Sequence, residues 1–214
     1  MLLLHLKFLF EENGKVNLTR ICTYEKAIPL HIEDSLSVLS EIGDVRGRLL
    51  DIGTGGGFPG LPLAVASGKE FTLLDSVRKK AAATKRIVGK LGLLENVHIC
   101  DVRSEELALE AGGAFDAVVM RAVSGLAVCE ELAAPLLEMG GKLLVMKSEI
   151  FDGEEEAGRK VADILRFSCL GKRERVIGEE KARREIFVFR KEGEPDIKLP
   201  RRPGMAAKKP LVCK

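Results

Sequence analysis

Apolar positions along the chain follow two rhythms, and the change between them lays out the protein. Leu2 to Glu12 is predicted helical and is ended by Asn13-Gly14. After a polar link, V-N-L-T-R-I, the residues Ile32, Leu36, Leu39 and Ile42 lie near helical spacing, which predicts one helix over Pro29 to Ile42. Gly43 and Gly47 then bracket a turn, and short apolar runs begin to alternate with helical segments. Strands are predicted in the run ending at Asp51, at Glu70 to Asp75, Val97 to Cys100, Phe115 to Arg121 and Lys142 to Lys147. Helices are expected after Pro59, from about Val77 to Leu91, within D-V-R-S-E-E-L, through Leu136 to near Gly140-Gly141, and from Asp152 to about Leu165. Strands alternating with helices give right-handed crossovers and a parallel sheet. Leu170 to Ile177 and Arg184 to Arg190 are separated by too few residues for a crossover helix, so they are expected to close the sheet as an antiparallel hairpin. The predicted fold is thus α/β: a mostly parallel seven-stranded sheet with an antiparallel last strand, preceded by two helices. The partition is 1–47 as a helical extension, 48–191 as the main domain and 192–214 as a basic tail. That tail, from Lys198 onward, has six basic and no acidic residues and three prolines, and is expected to be extended and outside the core.

Composition narrows the class without choosing a ligand. A chain of 214 residues, 46% hydrophobic and 31% charged, suits one globular domain, and a net charge of +2 argues for no partner by itself. The five cysteines (Cys22, Cys100, Cys129, Cys169, Cys213) are odd in number and form no CxxC pair, which points to a reducing compartment and no zinc or disulfide framework. The opening M-L-L-L-H-L-K-F-L-F lacks a basic leader and a small-residue cleavage site. It is also shorter than the ~20 apolar residues of a bilayer span, so a helix packed on a cytoplasmic domain is the expectation.

The chemistry concentrates in L-L-D-I-G-T-G-G-G-F-P-G, Leu49 to Gly60, where five of the nine residues after Asp51 are glycine. Glycines allow backbone to approach a ligand where a Cβ would clash. A phosphate-binding P-loop requires lysine after its last glycine; here Leu61 and Pro62 follow Gly60. Gly55, Gly57 and Gly60 satisfy the dinucleotide pattern G-x-G-x-x-G, with Asp75 placed 20 residues after Gly55 for a ribose. Asp51, Gly53, Gly55 and Gly57 equally satisfy D-x-G-x-G-x-G, a pattern suited to S-adenosylmethionine. Asp51 would hold the ligand's ammonium, Asp75 its ribose, and Ser104 with Glu105 its adenine edge. The antiparallel hairpin favours the methyl donor, while an NAD-dependent oxidoreductase and a non-catalytic RNA-binding module stay open. Binding of S-adenosylhomocysteine against NAD separates them.

Several motifs together carry a more specific resemblance. V-N-L-T-R-I, L-H-I-E-D-S-L, D-I-G-T-G-G-G-F-P-G-L-P-L-A, F-T-L-L-D-S-V-R-K-K, M-R-A and L-P-R-R-P-G-M-A-A-K-K-P-L occur in order over essentially the whole chain. The chain resembles the bacterial 16S ribosomal RNA guanine-N7 methyltransferases, also called glucose-inhibited division protein B, departing from them in a shorter N-terminus and in Glu12. The resemblance implies a class I S-adenosylmethionine-dependent methyltransferase fold, Rossmann-like, acting on 16S rRNA of the small ribosomal subunit, with no membrane and as a monomer. It also implies that Gly53 and Phe58 line the cofactor pocket, that Ser104 and Glu105 meet the adenosine, and that Arg121 closes the site.

Guanine N7 is a lone pair with no proton to lose, so the expected mechanism needs positioning and no general base. No N-P-P-Y motif follows the fourth strand and no cysteine is placed as a nucleophile; Cys129 is expected to pack in a helix. Arg121 is then an orienting residue. RNA phosphates are expected at Arg201, Arg202, Lys208 and Lys209 of the tail and at Arg173, Arg175, Arg183 and Arg184 of the hairpin. Deleting the residues after Pro200 is expected to weaken RNA binding and to spare cofactor affinity.

Overall fold

The structure, a computed structural model, describes residues 1–179 and 181–211; Cys213 lies outside the described residues. Seven strands form one sheet in the order β3-β2-β1-β4-β5-β7-β6. They are β1 (Leu49–Ile52), β2 (Phe71–Leu74), β3 (Val97–Cys100), β4 (Phe115–Arg121), β5 (Leu137–Lys147), β6 (Phe167–Ile177) and β7 (Ala182–Lys191). The pairs among β1 to β5 are parallel, and β7 is antiparallel to both β5 and β6. Helix α1 is Leu2–Asn13, α2 Tyr24–Ala27, α3 Asp34–Leu36, α4 Gly60–Ser67 and α5 Arg78–Lys90. Helix α6 is Ser104–Ala111, α7 Leu126–Ala133, α8 Glu154–Ile164 and α9 Met205–Lys208. Successive residues of a strand face opposite sides of the sheet. Leu49 accordingly packs with Phe71, Val119 and the α1 residues Leu6 and Leu9, while Leu50 packs with Leu74, Val118 and Leu126 on the other side. Both faces are covered, which is why the central strands read as unbroken apolar runs. The chain runs outward from β1 to β3 and then returns to β4 on the other side of β1. The crevice above the C-terminal ends of β1 and β4 is therefore the topological switch point, where ligands bind in such sheets.

Three expectations need correction. The helix expected over Pro29 to Ile42 is broken: a π-helical stretch, Ile28–Glu33, separates α2 from α3, and a 3₁₀ turn covers Leu39–Ile42. Pro29 has no N–H to give, and the Asp34 N–H reaches back to the carbonyl of Pro29, which widens the winding. Helix α7 ends at Ala133, well before Gly140-Gly141, because Pro135 stops it. Gly140 and Gly141 instead lie inside β5, where the pairing steps from Phe115–Leu137 to Ala117–Lys142 and Gly140 takes up φ +82°. The tail is not a free extended segment. Ile197, Leu199 and Leu211 pack on the second core cluster, α9 forms within the tail, and Ala206 is buried.

Candidate active site

The glycine loop joins β1 to α4 and is held by its own side chains. Asp51 is fully buried; its Oδ2 accepts the Thr54 hydroxyl at 2.7 Å and the Gly60 N–H at 2.8 Å. Burial raises this carboxyl to a pKa of about 6, against the pull of those two hydrogen bonds. Gly60 is required here, since a Cβ would lie 2.4 Å from Leu73 Cδ2 and 2.8 Å from Asp51 Cβ. Asp75 ends β2 and reaches back, its Oδ2 accepting the Gly55 N–H at 3.0 Å and its Oδ1 accepting the Val77 N–H at 2.8 Å. Gly53 turns with φ +76°, and a Cβ there would lie 2.7 Å from Val123 Cγ2.

A cavity of about 210 Å³ opens at the switch point. Of the residues expected at the site, Gly53, Asp75, Ser104 and Glu105 line it, together with Val102 and Val123. The sequence reading missed two further parts of the wall: Val128 and Leu132 of α7 and, from the tail, Gly204, Ala206 and Ala207. Glu105 Oε1 accepts the Gly204 N–H at 2.7 Å, and Arg201 forks onto the Glu131 carboxylate of α7 at 2.7 and 2.5 Å. Arg201 is thus a strap over the cavity and does not face outward as a phosphate contact. The run of small residues G-M-A-A was the available signal, since it permits close packing. The residues after Pro200, expected to be separate from the cofactor site, supply part of the wall of this cavity.

Asp51, Gly55, Phe58 and Arg121 are not on the cavity lining; they support it from behind. Phe58 lies between the rings of His5 and His31, with centroids 4.5 Å away on each side, and the Arg121 guanidinium stands 5.4 Å from its centroid. Arg121 donates to the buried Asp34 at 3.0 Å and to the Leu30 carbonyl at 3.2 Å, and Arg184 donates to the other oxygen of Asp34 at 3.0 Å. Arg184 is therefore a partner of Asp34 and not an open phosphate contact, and Arg173 pairs with Glu41 at 3.5 Å. Arg202, Lys208 and Lys209 remain exposed on the strap, without an ion pair among the described residues. Cys129 is buried, donates to the Ser124 carbonyl and has its thiol pushed up to about 12 by burial, which leaves it unreactive as a nucleophile.

The donor set fits an adenosyl amino-acid ligand. Small residues flank a cavity ended by carboxylates, and Asp51 Oδ1 is a buried oxygen without a hydrogen-bond partner among the described residues. No lysine or arginine lines the cavity except Arg103, which leaves little to neutralise a pyrophosphate.

Sheet order, antiparallel β7 and a glycine loop at the switch point define the class I S-adenosylmethionine-dependent methyltransferase fold. Solved structures agree. Cofactor-bound Rv0187 from MTB superposes with a TM-score of 0.63 at 18% identity, covering 88% of this chain and 90% of that one. The O-methyltransferase from Bacillus cereus in complex with SAH gives 0.60 at 17%, covering 87% and 90%. Residues 1–176 match the family described as rRNA small subunit methyltransferase G. The ribosomal RNA small subunit methyltransferase G of Syntrophomonas wolfei is 36% identical over 216 residues, covering 96% of each chain, and that of Clostridium novyi is 35% identical over 206, covering 94% and 84%. The chain belongs to the rRNA small subunit methyltransferase G family.

Proposed function

We propose that this protein transfers a methyl group from S-adenosylmethionine to N7 of a guanine in 16S ribosomal RNA. The observation that carries this reading is the cavity at the switch point, lined by the carboxylates Asp75 and Glu105 and closed by a strap that bears exposed cations. Asp75 is suited to the ligand's ribose hydroxyls and Ser104 with Glu105 to its adenine, while Asp51, behind the lining, would act on the ligand's ammonium through its charge or a bridging water. When bound, the sulfonium supplies an electrophilic methyl group. The protein's part is to bind, to orient and to exclude water, since guanine N7 gives up no proton. Arg121, fixed by Asp34 and Leu30, braces the end of β4 against Phe58 and so positions Val123 on the cavity wall. Arg202, Lys208 and Lys209 supply RNA phosphate contacts, with Arg175 and Arg183 of the hairpin. We read the protein as a monomer acting in the cytoplasm on rRNA; among the described residues no helix is long and apolar enough to cross a membrane. Calorimetry with S-adenosylhomocysteine and with NAD, followed by methyl transfer to 16S RNA and to small subunits, tests the reading. The expected product is a guanosine made cleavable by borohydride and aniline. Binding of NAD in preference to S-adenosylhomocysteine would overturn it.

A further inference from the structure

The strap has an inner and an outer side that cannot move independently. Its inner side gives Gly204, Ala206 and Ala207 to the cavity wall. Its outer side carries Arg202, Lys208 and Lys209, exposed and without an ion pair among the described residues. Each of these cations lies within two residues of a wall residue along the chain, a reach of roughly 7 Å, so a ligand that fixes one side fixes the other.

Few contacts hold the strap closed. Arg201 pairs with Glu131 and also donates to the Lys209 carbonyl at 2.9 Å, which ties the two ends of the strap together. Glu131 stands on α7 between Val128 and Leu132, both on the cavity wall, so this pair joins one part of the wall to another. Gly204 turns the chain into α9 at φ +80°, and its N–H is taken by Glu105, a third lining element. Ala206 is buried beneath α9. No strand pairs with the strap, so it can open without disturbing the sheet. Closure also arranges the cations. A tail released from Glu131 and Glu105 spreads its charges over many conformations, whereas α9 and the Arg201–Lys209 bond set Arg202, Lys208 and Lys209 in fixed places. The closed strap is therefore the better binder of RNA phosphates as well as of the cofactor, and two ligands that favour one state favour each other.

We propose that 16S RNA and the cofactor bind cooperatively through the strap. Phosphates on Arg202, Lys208 and Lys209 hold the wall residues against the cofactor, and the cofactor holds the cations in place for RNA. This rests on the readings of the cavity as an S-adenosylmethionine site and of the strap cations as RNA contacts. The coupling is capped by the reciprocal of the closed fraction, so weakening the closed state enlarges it. The test is calorimetry with S-adenosylhomocysteine on the full chain, alone and with unmethylated 16S RNA at concentrations that saturate each variant. Arg201→Leu should bind S-adenosylhomocysteine more weakly than wild type without RNA, and to within about twofold of wild type with it. By reciprocity, S-adenosylhomocysteine should tighten RNA binding to Arg201→Leu by the same factor. Glu131→Gln loosens the same fork and serves if Arg201→Leu does not fold. Adding alanine at Arg202, Lys208 and Lys209 to the Arg201→Leu chain should abolish the recovery. The proposal is overturned if RNA tightens S-adenosylhomocysteine no more in Arg201→Leu than in wild type, or if the recovery persists without the three cations. Absence of S-adenosylhomocysteine binding with and without RNA removes the methyl-donor reading itself, a different result from binding of both ligands without coupling.

Discussion

The strap is the part of the site most open to a decisive test, through Arg201→Leu. Arg201 makes two charge-assisted bonds to Glu131, whose side chain is 4% exposed, and a third to the Lys209 carbonyl at 2.9 Å. Hydrogen bonds to a charged group contribute about 1.5–3 kcal/mol, and removing the arginine also leaves a buried carboxylate unpaired. A loss of ~2 kcal/mol lowers the ratio of closed to open strap about thirtyfold. The Gly204–Glu105 bond and the burial of Ala206 still favour closure, so thirtyfold is an upper limit. Because the competent fraction divides into the apparent affinity, the dissociation constant for S-adenosylhomocysteine should rise between about threefold and thirtyfold. Calorimetry at fixed salt measures it, with Arg202→Leu as the control: that side chain is exposed, so its loss should touch RNA binding and not the cofactor. Equal cofactor affinity in Arg201→Leu and wild type would show that the strap is not a wall of the site in solution.

Other outcomes follow from single environments. Glu130 is buried on α7 with neither carboxylate oxygen partnered among the described residues, and burial, aided by Asp163, raises its pKa to about 9. A carboxyl raised in the folded state costs stability as pH climbs from its unfolded value towards 9, by at most ~1.4 kcal/mol per pH unit. Glu130→Met should therefore be the more stable protein in urea unfolding at pH 8 and nearly level with wild type at pH 5; parallel pH dependences would refute this. Arg121→Ala leaves Asp34 with Arg184 alone and should lower both the melting temperature and methyl transfer. Arg121→Lys keeps a charge for Asp34 but loses the planar guanidinium that stands beside the Phe58 ring, so it should recover stability more than transfer. Full turnover in Arg121→Ala would remove its orienting role. Replacing Arg202, Lys208 and Lys209 with alanine should reduce the salt dependence of RNA binding by about one unit of slope for each phosphate no longer neutralised, read from titrations between low and moderate salt. Gly60→Ala should abolish cofactor binding in a thermal-shift assay, since its methyl group would meet Asp51 and Leu73.

The parallel order, the hairpin and the glycine loop were legible in the residues because each is a local signal. Apolar runs of strand length, glycines where φ turns positive, and a link too short for a crossover need no knowledge of distant partners. The same holds for Asp75 and for Ser104-Glu105, which lie at strand ends in a sheet whose strand ends form the crevice. The breaks near Pro29 and Pro135 are equally local: apolar spacing there continues a helical period through a proline that interrupts the helix. Only the tertiary structure decided the rest. Charge along the tail gives the same pattern for a cation facing solvent as for one facing a carboxylate 70 positions away; Arg201 and Arg202 are neighbours with opposite fates because Glu131 stands opposite one of them. His5, Phe58, His31, Asp34, Arg121 and Arg184 likewise come from five separate segments, and their stack and ion pairs arise only when α1, the stretch from Ile28 into α3, the loop, β4 and β7 pack together. The chain states that a glycine loop receives a ligand at the end of β1. Packing determines which side chains stand on the cavity wall, which stand behind it and which part of the tail closes over it.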